Sequence, residues 1–284
     1  MSVIFCDSNC ELWYDILNKN DIKLIKMPYT LDLTEYYYDC GENTDFNYFY
    51  KKVRDKSLPT TAALNTFNYI EIFEPYFKAS EDILYIAFSS QMSATFNFLD
   101  EAIKELSKKY PKAKFKKFDT LNISLGAGIL VYNAIKLKNE GKNNDQIYNS
   151  LNNLREKVAI YILVNDLNHL KRGGRVSASA ALMGGLLNIK PILSVENGKL
   201  KPFEKVKGRS KGLSEIAKKF DELWDRNYKE VWLLGADCKS EIEEYSKLLK
   251  EKYGKAIDLK TQPIGPVVGT HCGPDTIGLI FIKK

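Results

Sequence analysis

Histidine is scarce: only two occur among 284 residues, and the five cysteines, at 6, 10, 40, 238 and 272, are an odd number. No cysteine pair has Cys-x-x-Cys or zinc-finger spacing, so neither a zinc ribbon nor a dithiol redox motif is encoded. Reduced thiols, and hence a cytoplasmic protein, are the simplest expectation. The opening MSVIFCDSNC lacks a basic leader and a long apolar run, so a signal peptide is not expected. No stretch approaches the length of a membrane span, which excludes an integral membrane segment. The P-loop spacing Gly-x-x-x-x-Gly-Lys-Ser/Thr is missing, as is the Gly-x-Ser-x-Gly nucleophile elbow. No acidic cluster reads as a metal site. Nothing in the chain therefore announces a nucleotide-using enzyme or a metalloenzyme, and no cofactor is expected.

Positive charge is present, at a net +6, but it is not concentrated. Most lysines fall on the polar faces of amphipathic segments beside glutamates, as on any solvated surface. A nucleic-acid binder gathers its charge along a groove and interleaves aromatics, and no helix-turn-helix is apparent, so no nucleic-acid partner is expected. Two runs are denser: Lys171, Arg172, Arg175, and Lys205, Lys207, Arg209, Lys211.

The length suits two domains better than one. Through residue 164 short apolar runs such as Ile83–Phe88 alternate with amphipathic helices, the pattern of a parallel sheet covered by helices. Asp45 is placed to cap a helix reaching Lys56. Beyond Asn165 the pattern changes. Strands Pro191–Glu196 and Lys199–Val206 meet at Asn197-Gly198, the preferred two-residue hairpin turn. The expected organisation is an α/β parallel-sheet domain over 1–165 and an α+β domain over 166–284, with a ligand between them.

Four segments have unusual composition. Asp7-Ser8 ends the first strand, where ligands of open parallel sheets bind, although helix capping explains it equally. Ser89-Ser90-Gln91-Met92-Ser93-Ala94-Thr95 carries more hydroxyl and amide groups than a cap needs, at a turn from strand to helix where free N–H groups favour anions. Residues 170–191 hold two glycine pairs around a run of small side chains, which leave room for a ligand or for close helix packing. Gly265–Gly278 holds four glycines and two prolines within fourteen residues and reads as a fixed, turning loop carrying His271.

Together these segments resemble the DegV family along the whole chain. The features that carry the resemblance are Asp7-Ser8, Pro59-Thr60-Thr61, Ser89-Ser90 through Thr95, Gly173-Gly174-Arg175 with Asn188-Ile189-Lys190-Pro191, and the closing Gly-Thr-His-Cys-Gly-Pro. The resemblance implies two α/β domains holding a long-chain fatty acid. It also implies that the protein is a carrier, with no catalytic residue of its own, for a separate ATP-dependent fatty acid kinase that makes an acyl phosphate. Carried over by position, Thr61 and Ser93 hold the carboxylate, Ser90 and Thr95 belong to the same segment, and His271 and Arg175 lie near the head group. The chain departs from the family at Ala62-Ala63-Leu64, where Ser-Gln-Pro is usual. Ala94 stands for a common glycine, Lys207 for a common arginine, and Asp275 for a small residue.

A fatty acid suits such a site physically. Burying about fourteen methylenes yields on the order of 11 kcal/mol before ordering costs. The head then needs only hydrogen bonds to offset its desolvation, and the small residues Ala178, Ala180, Ala181, Gly184 and Gly185 make room for a tail. Two other readings compete: a serine-dependent acyl hydrolase built on Ser93, His271 and Asp275, and a binder of a phosphorylated metabolite.

Overall fold

In the computed structural model, which describes residues 2–176 and 189–284, the chain forms two units. The first comprises residues 1–44 and 61–156, the second 45–60 and 157–284.

The first unit is built on a wholly parallel sheet. Strands β1 (Ser2–Asp7), β2 (Ile22–Ile25), β6 (Asp82–Ala87) and β7 (Lys114–Asp119) lie in the order β2-β1-β6-β7. The central strands β1 and β6 are near-continuous apolar runs, as strands buried on both faces require, whereas the edge strand β7 (KFKKFD) alternates exposed lysine with less exposed residues. Helix α3 (Thr66–Lys78) lays Phe73 on one face, 5.0 Å from Phe5 and 5.1 Å from Phe115 between ring centroids. Helix α4 (Thr95–Lys109) lies beside α3, and α5 (Leu125–Asn139) and α6 (Asn144–Arg155) also pack on this sheet. Both α3 and α6 open on a reciprocal capping box, at Asn65/Asn68 and Asn143/Gln146.

The sequence by itself reads as one strand over Ile22–Pro28, an irregular stretch over 29–58 before and after the Asp45-capped helix, and a helix over 9–18; the structure differs at each. The apolar stretch Ile22–Pro28 is two strands, because the chain leaves the main sheet at Lys26. Strand β3 (Met27–Leu31) pairs instead with β4 (Thr34–Tyr38) and lies beside the two-residue β5 (Thr60–Thr61). Asp32 and Leu33, both at positive φ, make the β3–β4 turn in a region expected to be irregular. The helix expected over 9–18 is a 3-10 turn, Ser8–Cys10, followed by α1 (Tyr14–Lys19); Glu11 in the left-handed region separates them.

The second unit is a six-stranded mixed sheet in the order β10-β9-β8-β13-β11-β12. Its strands are β8 (Val158–Leu163), β9 (Ile189–Glu196), β10 (Lys199–Lys207), β11 (Glu230–Gly235), β12 (Asp258–Pro263) and β13 (Ile277–Ile282). Only β11 and β12 run parallel. The Asn197-Gly198 hairpin is present, with both residues at positive φ as the tight turn demands. Strand β8 does not extend the first sheet, as the alternating pattern suggests; it pairs antiparallel with β9 and β13. A continuous apolar run specifies burial on both faces and says nothing of partner or direction. Helices α8 (Arg209–Leu223) and α9 (Lys239–Tyr253) cover a core centred on Phe220, Trp224, Tyr245 and Phe281.

Helix α2 (Phe46–Arg54), with Asp45 accepting from the Tyr48 N–H at 2.8 Å as its cap, belongs to this second unit although it follows the first forty residues. The Tyr50 hydroxyl donates to the Ile264 carbonyl at 2.8 Å. Arg54 holds Asp237 at 2.5 Å and Asp275 at 2.7 Å.

Candidate functional site

In the first unit all four parallel strands present their carboxyl ends at one edge. There Asp7, residues 88–90 and residues 119–122 lie side by side. The Asp7 carboxylate accepts from the Phe88 N–H at 2.8 Å, the Tyr85 hydroxyl at 2.9 Å and the Asn9 N–H at 3.1 Å. It is 1 % exposed, and burial raises its carboxyl to about 7 while the Phe88 N–H works in the opposite direction. Ser8 accepts from the Met27 N–H at 2.9 Å and so pins β3 to the end of β1. The Asp7-Ser8 pair therefore caps the 3-10 turn and joins strands.

The hydroxyl-rich segment divides by role. Ser89 is fully buried, and its hydroxyl accepts from the Gln91 N–H at 3.2 Å. The Ser90 N–H donates to the Asp119 carboxylate at 3.2 Å, which commits a group otherwise suited to an anion. Ser90 Oγ accepts from the Gln91 side chain at 3.3 Å. Ser93 and Thr95, at the start of α4, share a 2.8 Å hydroxyl bond in which either oxygen can donate, and the Thr95 N–H reaches Ser93 Oγ at 3.3 Å. Ser93 is half-buried and Thr95 buried. Thr61, also half-buried, sits on β5 in the same unit. Thr61, Ser90, Ser93 and Thr95 are thus all borne by the first unit.

Arg175 and His271 are borne by the second. His271 is not on an irregular loop. Pro266–Cys272 is a helix, α10, with Gly265 before it, Pro266 in its first turn, and Gly273 at φ 72° after it. Proline is compatible with a first helical turn, where its missing N–H has no partner to lose. Glycine at the exit takes the left-handed φ. What reads as a breaker-rich loop is a helix with its punctuation at the ends.

Helix α10 lies against α7 (Asn168–Arg172), and the chain's two histidines interlock there. His271 occupies the space a side chain on Gly173 would take, and His169 the space of one on Gly273. Arg175 donates to the Gly173 carbonyl, and Arg172 lies 3.0 Å from His169 Nδ1. Burial first, and the Arg175 charge second, lower His271 to about 4. Burial and Arg172 lower His169. Both rings are neutral at pH 7, so they offer directional hydrogen bonds without a fixed charge. His169 escaped the sequence reading, although the spacing His169–Gly173 and Gly269–Gly273 around two short basic or glycine-rich stretches was a usable signal.

A depressed histidine has a sign. Its contribution to stability is present above the ordinary value of 6.5 and is lost as pH falls towards 4, because the unfolded chain binds the proton first. Folding stability should therefore fall by up to roughly 3 kcal/mol over that window. His271→Gln should flatten the fall, read by urea melts at pH 7 and pH 4.5; an unchanged slope would place the ring in water.

Asp275, where the sequence departs from the DegV pattern, sits at φ 60° and is spent on Arg54 and on Asn165, 3.3 Å away. Its carbonyl accepts from Arg209, which also holds Glu241 at 2.5 Å. The small-residue run 177–188, with Ala178, Ala180, Ala181, Gly184, Gly185 and Asn188, lies outside the described residues. Among the described residues no helix is long and apolar enough to cross a membrane.

A family model described as "Uncharacterised protein, DegV family" matches residues 1–284. The chain belongs to the DegV family. A DegV domain-containing protein of Clostridium perfringens is 38% identical over 99% of this chain and 97% of its own. Among solved structures, a fatty acid binding DegV family protein from Streptococcus agalactiae superposes with a TM-score of 0.84 at 28% identity, covering 100% of this chain and 99% of the other. A fatty acid (stearic acid)-binding protein from Eubacterium ventriosum gives a TM-score of 0.84 at 25% identity, covering 100% and 99%. Membership accounts for the two-unit α/β architecture, a parallel sheet followed by a mixed one. In this DegV chain the site residues expected from the sequence fall into two groups, the strand-end cluster of the first unit and the interlocked histidines of the second.

Proposed function

We propose that this DegV protein binds a long-chain fatty acid, with the carboxylate held by Ser93 and Thr61, and delivers it in the cytoplasm to a separate ATP-dependent kinase that forms the acyl phosphate. The observation that carries the reading is the whole-length likeness to solved relatives described as fatty-acid-binding proteins. The local chemistry agrees. Hydroxyls such as Ser93 at the start of α4 and Thr61 on β5 can donate to a carboxylate without a fixed counter-charge and leave it reactive towards a phosphoryl donor. Neutral His271, beside Arg175, is suited to steadying the head group or its phosphorylated product.

The hydrolase alternative loses support. The Ser93 hydroxyl bonds to Thr95, not to a base. Asp275, the carboxylate nearest in sequence to His271, is committed to Arg54. Docking of a kinase would rest on exposed Lys171, Lys205, Lys207 and Lys211; Arg209 is already engaged between α8 and α9.

Protein denatured in organic solvent should release fatty acid identifiable by mass spectrometry. Acyl phosphate should then form from ATP only when a kinase fraction from the same organism is added. If nothing is released and no fatty acid binds on titration, the ligand is wrong. Acyl phosphate formed without a partner would instead remove the carrier role.

A further inference from the structure

Between the buried Asp7 and Ser93 stands a row of hydroxyls, all within the first unit. Tyr85 donates to Asp7 Oδ2 at 2.9 Å. Tyr69 of α3, fully buried, has its hydroxyl beside those of Tyr85 and Thr95. It has no fully formed bond to either, which makes it the loose link. A buried hydroxyl in that state costs free energy until it pairs. Thr95 and Ser93 close the row at 2.8 Å.

Each hydroxyl owns one proton, so the row has a direction. An ionised Asp7 only accepts. Tyr85 then donates to it, and once Tyr69 closes the row the remaining hydroxyls point the same way: Tyr69 to Tyr85, Thr95 to Tyr69, and Ser93 to Thr95. Ser93 has spent its proton inward and can offer an anion nothing. With Asp7 protonated every bond reverses. Ser93 Oγ then accepts from both the hydroxyl and the N–H of Thr95, and its own proton points outward. Only this second state suits a carboxylate.

Given that Ser93 holds a fatty-acid carboxylate, we propose that binding is coupled to uptake of one proton by Asp7 through reversal of this hydroxyl row, with Asp7 a positioning residue for Ser93. The balance is simple. One proton enters at Ser93 Oγ, each hydroxyl passes its own proton one place inward, and Tyr85 hands the last to Asp7 Oδ2. Five O–H bonds form, counting the one on Asp7, and four hydroxyl O–H bonds plus the incoming acid's break. A fatty acid arriving in its neutral form supplies the proton itself and is left bound as the carboxylate.

The surroundings of Asp7 favour this. The titratable groups facing it are Tyr85 of β6, Tyr69 of α3 and the thiols of Cys6, Cys10 and Cys40; none is a cation. Burial places its carboxyl at about 7, so the proton is exchangeable near neutrality.

The test is calorimetric titration of the lipid-stripped protein with dodecanoate at pH 8, in two buffers of different ionisation enthalpy, together with Kd between pH 6.5 and 8.5. Wild type should take up close to one proton per anion, and Kd should weaken by roughly tenfold per pH unit above neutrality. Tyr69→Phe keeps the ring in the core and cuts the row, and should abolish uptake and flatten the pH profile. Asp7→Asn should do the same; it faces the Phe88 N–H with an amide donor and so serves as the second variant. Binding without proton uptake, or uptake that persists in Tyr69→Phe, overturns the coupling while leaving the fatty-acid reading intact. A wild type that binds no dodecanoate or longer acid overturns both.

Discussion

The Ser93→Ala, Thr61→Val double variant should bind fatty acid roughly two to four orders of magnitude more weakly than wild type while melting at a similar temperature. Each substitution removes a hydrogen bond to a charged group, worth about 1.5–3 kcal/mol. The tail should still supply hydrophobic affinity, so residual binding is expected instead of complete loss. The melting temperature should hold because both side chains are half-buried and neither fills the aromatic core. Ser93→Ala alone also strips Thr95 of its hydroxyl partner and of an acceptor for its N–H. Thr95→Val, which leaves Ser93 in place, should therefore weaken binding less than Ser93→Ala. Unchanged affinity in the double variant would mean that the head group lies elsewhere.

Phe73→Ala should produce the largest loss of stability, about 3–5 kcal/mol. The ring is wholly buried and meets Phe5, Tyr69, Tyr85 and Phe115 with centroids 5.0 to 6.2 Å apart. Removing it leaves a cavity where α3 bears on three neighbouring strands. The edge-to-face contacts with Phe5 and Phe115 and the stacked contact with Tyr69 add to the loss of buried area. Because Tyr69 and Tyr85 lean on Phe73, their hydroxyls should also lose their fixed positions. Urea unfolding followed by tyrosine circular dichroism would show an early transition for the first unit. An unfolding free energy within about 0.5 kcal/mol of wild type would show that the neighbouring rings collapse into the gap.

Much of the scaffold is legible in the sequence because the relevant signals are local. Asn197-Gly198 specifies its hairpin through backbone conformations few other pairs tolerate, and Asp45 caps α2 as its position before a helical run implies. Strand β8 shows the limit of such signals: its residues encode burial, and only distant partners decide that it joins the mixed sheet. Helix α10 misleads for a different reason. Proline and glycine break helices in the middle but define them at the ends, and composition counted over fourteen residues cannot tell the two apart.

The candidate site is partly legible for the same reason. Ser93 and Thr95 stand out because hydroxyls two residues apart before an amphipathic run are a local pattern. Asp7 is visible as a strand-end acid, but its burial and its contact with Tyr85 depend on a strand some eighty residues later. The tyrosine inside the apolar run Asp-Ile-Leu-Tyr-Ile-Ala was a faint indication, since a buried phenol must find a partner. Asp275 is ambiguous until Arg54 is seen beside it, and no short-range rule links those two positions.

The placement of α2 has a consequence for biosynthesis. Residues 45–60 leave the ribosome early, yet the Ile264 carbonyl that Tyr50 bonds, the Gly269 surface against which Phe49 and Tyr50 rest, and the two aspartates that Arg54 holds are made some two hundred residues later. The nascent chain can complete its parallel sheet by residue 156 with this loop hanging free. Helix α2 acquires its packing surface only after some two hundred further residues have been made. Residues 237–275 thus act on a segment already outside the tunnel, and a second unit expressed from 157 onward would begin life without the helix that its α10 region is shaped to receive.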